Sequence, residues 1–279
     1  GLHLDIIPVD ASGVVKLDEL RALLKRSPLP ALVSVMLVNN ETGVVQPVRD
    51  IVEIARSVNA LVHTDAVQAF GKMPVNFTVL GCDLMTISAH KLGGPMGVGA
   101  LVVRDGLSLD VQMNGGGQEL RRRAGTENMP AIAGFAAALD EAPSDLASLR
   151  DRLESELAAL SPDIVVFGRK TERVGNTSCF ALPGLPAEMA LISLDLEGVA
   201  LSSGSACSSG KVARSHVLAA MAVPGELAKS ALRVSFGWNS TSEDVIGFIA
   251  AWRRILDHRA RAGLDTGRMH RRYPDQVRA

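Results

Sequence analysis

One lysine stands where a covalent cofactor could be carried. In SAHKLGGPMGVG, residues 88–99, Lys91 follows a strand-like apolar run and comes just before four glycines within seven residues. Glycine lets backbone approach a bulky planar ligand, and Ser88 and His90 can donate hydrogen bonds to an anionic group such as a phosphate. The spacing fits neither the dinucleotide fingerprint nor the P-loop, and a lysine taken alone is most often an exposed surface residue. Upstream, in HTDAVQAFGK, residues 63–72, Asp65 closes another strand-like run and Gln68 follows three residues later, on the same side if the chain turns helical there. An acid at the carboxyl end of a strand lies where open α/β sheets bind ligands, although an aspartate there can also simply cap the next helix. Beside a Schiff-base lysine it can pair with a protonated pyridine nitrogen. The two segments together point to pyridoxal phosphate.

The three cysteines, Cys82, Cys179 and Cys207, are far apart and form no CxxC pair, so the sequence suggests neither structural zinc nor a disulfide framework. Cys82 and Cys179 sit in apolar, strand-like runs and read as inert core thiols. Cys207 instead lies among Ser202, Ser203, Gly204, Ser205, Ser208, Ser209 and Gly210, the composition of an exposed, adaptable segment. A thiol placed there can enter a pocket as nucleophile and leave carrying its product.

The elements that must position these groups follow from the apolar pattern. Leu17, Leu20, Leu23 and Leu24 have helical spacing, Ala31 to Val38 reads as a strand, and Pro47 opens a helix with Val48, Ile51, Ile54, Ala55 and Val58 on one face. Further strands are predicted at 60–63, 83–87 and 99–103, buried on both faces of a mainly parallel α/β sheet. A helix runs from Pro130 to Leu139. After Pro143 another is expected, with Ser144 as N-cap and Leu146, Leu149, Leu153, Leu157 and Leu160 on one face. The predicted division falls there, giving a large domain over 1–142 and a smaller α+β domain over 143–279. The latter has strands at 164–167, 177–181 and 232–236 and a last helix opened by a capping box from Ser240 to Glu243. Beyond Asp257 an arginine-rich tail with Arg259, Arg261, Arg268, Arg271 and Arg272 reads as a solvated end.

Composition narrows the function classes. The chain has 279 residues, 47% hydrophobic, and its 29 Lys and Arg nearly balance 30 Asp and Glu, for a net charge of -1. No field is available to draw in nucleic acid or an anionic membrane. The apolar runs fall well short of the ~20 residues of a membrane span, and no basic-then-apolar signal segment opens the chain. A cytoplasmic location is the expectation.

Five segments in order, VNNETG (38–43), HTDAVQ (63–68), SAHK (88–91), GGGQELRRRAGTEN (115–128) and LSSGSACSSG (201–210), resemble the cysteine desulfurases of the NifS/IscS type, in the class V aminotransferase superfamily of fold-type I pyridoxal phosphate enzymes. The resemblance runs to about Trp252. It implies that Lys91 carries the cofactor, Asp65 pairs with its pyridine nitrogen, Asn40 and Gln68 contact ring substituents, and Ser88 and His90 hold the phosphate. Thr126 would reach the phosphate of a neighbouring subunit, which implies a homodimer. Arg233, with Asn40, would bind the carboxylate of L-cysteine, and Cys207 would accept its sulfur as a persulfide and pass it to a scaffold protein for iron-sulfur assembly or to another acceptor. No intrinsic metal site is implied, beyond a transient iron-sulfur contact at Cys207. The family ordinarily has further chain before the position of Gly1, with a phosphate loop and a ring-stacking histidine, so a truncated chain is expected. Selenocysteine lysis, another class V reaction, or an inactive chain that serves only as a binding partner are the alternatives.

Overall fold

The computed structural model describes residues 3–27, 30–141, 146–203 and 215–261. Two compact units divide the chain, one made of residues 24–37 and 48–142, the other of 1–23, 38–47 and 143–279. A single cut near residue 142 therefore does not provide for the two early segments that group with the C-terminal unit. Helix α1 (Leu17–Arg26) runs across the division at residue 23 and buries Leu20, Leu23 and Leu24.

In the unit built around 48–142, strands β1 (Leu32–Met36), β2 (Leu61–Asp65), β3 (Leu84–Ser88) and β4 (Gly99–Val103) lie side by side in that order. The first three are parallel and β4 returns antiparallel to β3. Helix α2 (Val48–Arg56) makes the crossover from β1 to β2, burying Val48, Ile51, Val52, Ile54 and Ala55, and packs on β2. Each buried Val or Ile there contributes on the order of 1.5–3 kcal/mol. Helix α3 (Phe77–Leu80) is a single turn that starts at Asn76, whose side chain accepts from the Val79 amide, and stops at Gly81 with φ 72°. Helix α4 (Met129–Asp140) starts at Asn128, which accepts from the Ala131 amide. The expectation of strands buried on both faces is corrected: burial alternates along β2, with Val62 and Thr64 covered and their neighbours half-open, and Leu32 and Leu101 are exposed. α2 packs on β2 from one side of the sheet.

The other unit carries an antiparallel sheet in the order β5 (Val165–Val166), β6 (Thr177–Ala181), β8 (Ala231–Ser235), β7 (Ser202–Ser203). Helices α5 (Ala147–Leu160), α6 (Ala187–Leu196) and α9 (Ser242–Arg261) cover it, and α7 (His216–Ala220) and α8 (Gly225–Ala228) are short. The core is centred on Phe180, whose ring meets Trp252 edge-on at 5.6 Å while Phe248 stacks on Trp252 at 5.9 Å. Two predicted helix starts move. Ser144 lies outside the described residues, and the position before α5 is held by Leu146 with no side-chain cap, because its apolar side chain joins the core instead. For α9 the capping contact sits one residue later than Ser240 to Glu243: Asp244 accepts from the amide and hydroxyl of Thr241, and Ser240 instead accepts from the Gly237 amide. The helix also continues through Arg261, so Arg259 and Arg261 are helical rather than part of a loose tail.

Candidate active site

In the parallel-sheet unit, β2 and β3 are neighbours running the same way, so their carboxyl ends share one edge. Asp65 is the last residue of β2, paired in register with Thr86 of β3. Its Oδ1 accepts from the Val67 amide at 2.9 Å, which fixes the carboxylate without neutralising it. His63, two residues back and on the same strand face, has Nδ1 2.8 Å from Ser34 Oγ and Nε2 3.3 Å from Thr86 Oγ1. Burial lowers the His63 pKa, and the Asp65 charge opposes that in part. Burial thus favours the neutral imidazole beside the acid.

Ser88 closes β3, and a 3-10 turn over Ala89–Leu92 places His90 and Lys91 directly beyond it. Ser88 Oγ lies 2.8 Å from His90 Nδ1. Lys91 is exposed, and the turn ends on Gly93 at φ 87°. Gly99 is required for a different reason: a Cβ there would lie 2.6 Å from the Ile87 carbonyl oxygen, so only glycine lets β4 pair against the strand that delivers Lys91. Gln68 is on the turn after β2 and its Oε1 accepts from Lys72 Nζ at 2.7 Å, so donation falls to its amide nitrogen. Thr126 is exposed and follows a stretch where Glu119, Leu120 and Arg121 all have positive φ, a conformation that non-glycine residues rarely adopt. The structure thus gathers Asp65, Gln68, Ser88, His90, Lys91 and Thr126 in one unit. An acid, an amine and hydroxyl and imidazole donors at one sheet edge form a donor set that fits a pyridine ring bearing an aldehyde and a phosphate.

Asn40 and Arg233 are together in the other unit. Asn39 makes an Asx turn, its Oδ1 accepting from the amides of Glu41 and Thr42, and Gly43, at φ 74°, closes the turn with its amide donating to the Asn39 carbonyl. The turn presents the Asn40 carbonyl to Arg233, whose Nη1 donates to it at 2.9 Å while Nη2 donates to Ser202 Oγ at 3.3 Å. Arg233 Nε is buried and has no hydrogen-bond partner among the described residues. The guanidinium is therefore anchored on one side, and its Nε and Nη2 edge is the fork a carboxylate would use.

Cys207 lies outside the described residues. Cys82 and Cys179 are buried, and burial pushes their thiols up to about 11 and about 12, which removes both as nucleophiles at neutral pH. Among the described residues no cluster of three or more His, Cys, Asp or Glu could hold a metal ion, and no helix is long and apolar enough to cross a membrane. Sequence reading missed Glu41, Ser202 and Ser215 as contributors near Arg233. Only Glu41 left a signal, a charged residue inside an otherwise polar-neutral turn motif.

The family model of class V aminotransferases matches residues 1–248. The cysteine desulfurase IscS of Dictyoglomus turgidum is 39% identical over 264 residues, covering 92% of this chain and 66% of its own length. For the IscS of Methanosarcina thermophila the identity is 40%, covering 88% and 62%, so the chain spans slightly less than two thirds of these relatives. A cysteine desulfurase of Cereibacter sphaeroides is 43% identical, covering 92% and 67%. Among solved structures, a NifS-like protein from Rickettsia africae superposes with a TM-score of 0.82 at 37% identity, covering 90% of this chain and 69% of that one.

Proposed function

The chain belongs to the class V aminotransferase family, and from that premise we propose that it acts as an L-cysteine desulfurase using pyridoxal phosphate. One observation carries the reading: Asp65 and Ser88 close adjacent parallel strands, and the turn directly beyond Ser88 carries His90 and Lys91. Asp65 would hold the pyridine nitrogen, Ser88 and His90 the phosphate, Gln68 and Asn40 the ring substituents, and Thr126 the phosphate of a second subunit in a homodimer. Bound there, pyridoxal phosphate supplies an electron sink at the substrate Cα. Lys91 Nζ takes the Cα proton, and Arg233 orients the substrate by its carboxylate. Cys207 as thiolate then attacks the substrate sulfur: the new S–S bond forms as the substrate Cβ–S bond breaks, its electron pair stays with carbon, and protonation at Cβ together with return of the Cα proton from Lys91 Nζ completes alanine. The Cys207 persulfide passes to a sulfur-accepting scaffold.

The test is turnover of L-cysteine by the purified protein loaded with pyridoxal phosphate, with alanine quantified and the protein weighed by mass spectrometry. One added sulfur on Cys207 is expected. Cys207→Ser should keep the visible absorbance of the bound cofactor and yield no alanine, whereas Lys91→Ala should lose both the covalent cofactor link and turnover. Sulfur mapped to Cys82 or Cys179, or alanine from Cys207→Ser, would overturn the assignment.

A further inference from the structure

Glu41 is the one acid buried beside the proposed carboxylate fork that the reaction above does not use. It is 4% exposed, and Ser215 Oγ donates to its Oε2 at 2.5 Å while accepting from the Leu218 amide. The residue before it, Asn40, gives its carbonyl to Arg233 Nη1. The groups whose charge or titration bears on Glu41 are His216 at the start of α7, Arg233 on β8 and Cys179 on β6, the strand partner of Arg233. Of these only His216 and Arg233 are cationic or can become so. Arg173, whose charge bears on Cys179, is committed to Glu154 through two bonds of 2.7 and 2.9 Å.

We propose that Glu41 is a positioning residue for carboxylate binding at Arg233: a buried counter-charge that takes a proton from solvent when the substrate carboxylate arrives. Without ligand, the guanidinium is held through Asn40 and Ser202, and its charge acts on Glu41. A carboxylate on the Nε and Nη2 edge adds a second anion beside Arg233 while Glu41 stays buried, and two anions against one arginine favour protonation of the one that cannot leave. Desolvation already raises the Glu41 pKa above its usual 4.5, against the opposing pull of Ser215, His216 and Arg233. Ligand binding moves it further in the same direction. Carboxylate affinity then falls as pH rises through the elevated Glu41 pKa, because the deprotonated form must be neutralised before the ligand is fully held. Glutamine keeps an acceptor for Ser215 but carries no charge.

The inference rests on Arg233 being the carboxylate site, and the test separates the two. L-Alanine binding to the cofactor-loaded full chain is measured by calorimetry from pH 5 to 8, in buffers of differing ionisation enthalpy. For the native protein, proton uptake and weaker binding at higher pH are expected. Glu41→Gln should bind about tenfold more tightly at the alkaline end, the factor of one pKa unit, with the uptake lost, whereas His216→Gln should retain the uptake. A purely structural Glu41 would give Glu41→Gln a lower melting temperature with unchanged affinity and slope, and that result overturns the proposal. If Arg233→Met binds alanine as the native protein does, or the native protein binds none, the Arg233 reading fails.

Discussion

Replacing Arg233 puts the proposed substrate site at risk in a way that can be sized from its bonds. Nη1 is spent on the Asn40 carbonyl and Nη2 also donates to Ser202 Oγ, so a carboxylate on the Nε and Nη2 edge would take two charge-assisted hydrogen bonds, each contributing about 1.5–3 kcal/mol. Their loss is about 3–6 kcal/mol, or roughly 10²- to 10⁴-fold in kcat/KM at 1.36 kcal/mol per decade. Arg233→Ala should fall in that range. Arg233→Lys retains a point charge but not the planar fork, and should recover about one decade of the loss. The assay is alanine release under initial-rate conditions across a range of L-cysteine concentrations, with thermal unfolding run in parallel, because the variant also strips a donor from Asn40 and from Ser202. A folded Arg233→Ala protein within tenfold of the native kcat/KM would refute the argument that this edge is the carboxylate fork.

Three further outcomes follow from the packing. Glu154→Ala removes the partner of a buried arginine, with both side chains 5% exposed, and also the acceptor of Ser178 Oγ, so urea unfolding should report a loss of about 3–5 kcal/mol. Gly99→Ala forces the Ile87 carbonyl away from its present place. It should cost about 1–3 kcal/mol and weaken pyridoxal phosphate binding in a spectroscopic titration, because β4 pairs with the strand that leads into Lys91. Cys82 and Cys179 should resist iodoacetamide at pH 8 in the folded protein and react once it is unfolded, as mass spectrometry would reveal. Their folded pKa values lie above the ordinary 9.0, at about 11 and about 12, so the folded state keeps protons that the unfolded chain releases, and this part of the stability is full below pH 9 and is lost as pH climbs through those two values.

The parallel sheet and its edge groups were readable because each rests on short-range pattern. A run of Val48, Ile51, Ile54 and Ala55 announces a helix with one covered face, Asp65 ends an apolar strand, and Lys91 follows one on the turn past Ser88. Neighbours brought in from far along the chain left no such trace. Ser215 meets Glu41 across 174 positions, and nothing in either local sequence names the other. The shift of the α9 cap from Ser240 to Thr241 is of another kind: both residues can cap, and the Gly237 turn takes Ser240 first. Alternating burial in β2 escaped the reading because apolar runs report what can be buried, while the coverage present depends on how many helices lie over each face.

The placement of the indoles decides what light can report about this molecule. Both tryptophans of the sequence, Trp238 and Trp252, belong to the unit with the antiparallel sheet. Trp252 is fully buried among Phe180 and Phe248, with its Nε1 unpartnered among the described residues, whereas Trp238 is 66% exposed. Emission should therefore be a sum of a blue component and a red one, and an aqueous quencher should remove the red first. Neither indole belongs to the unit that carries Lys91. Tryptophan emission in a denaturant series consequently follows one half of the chain, and its midpoint, set against far-ultraviolet dichroism of the whole, measures whether the two halves melt as one.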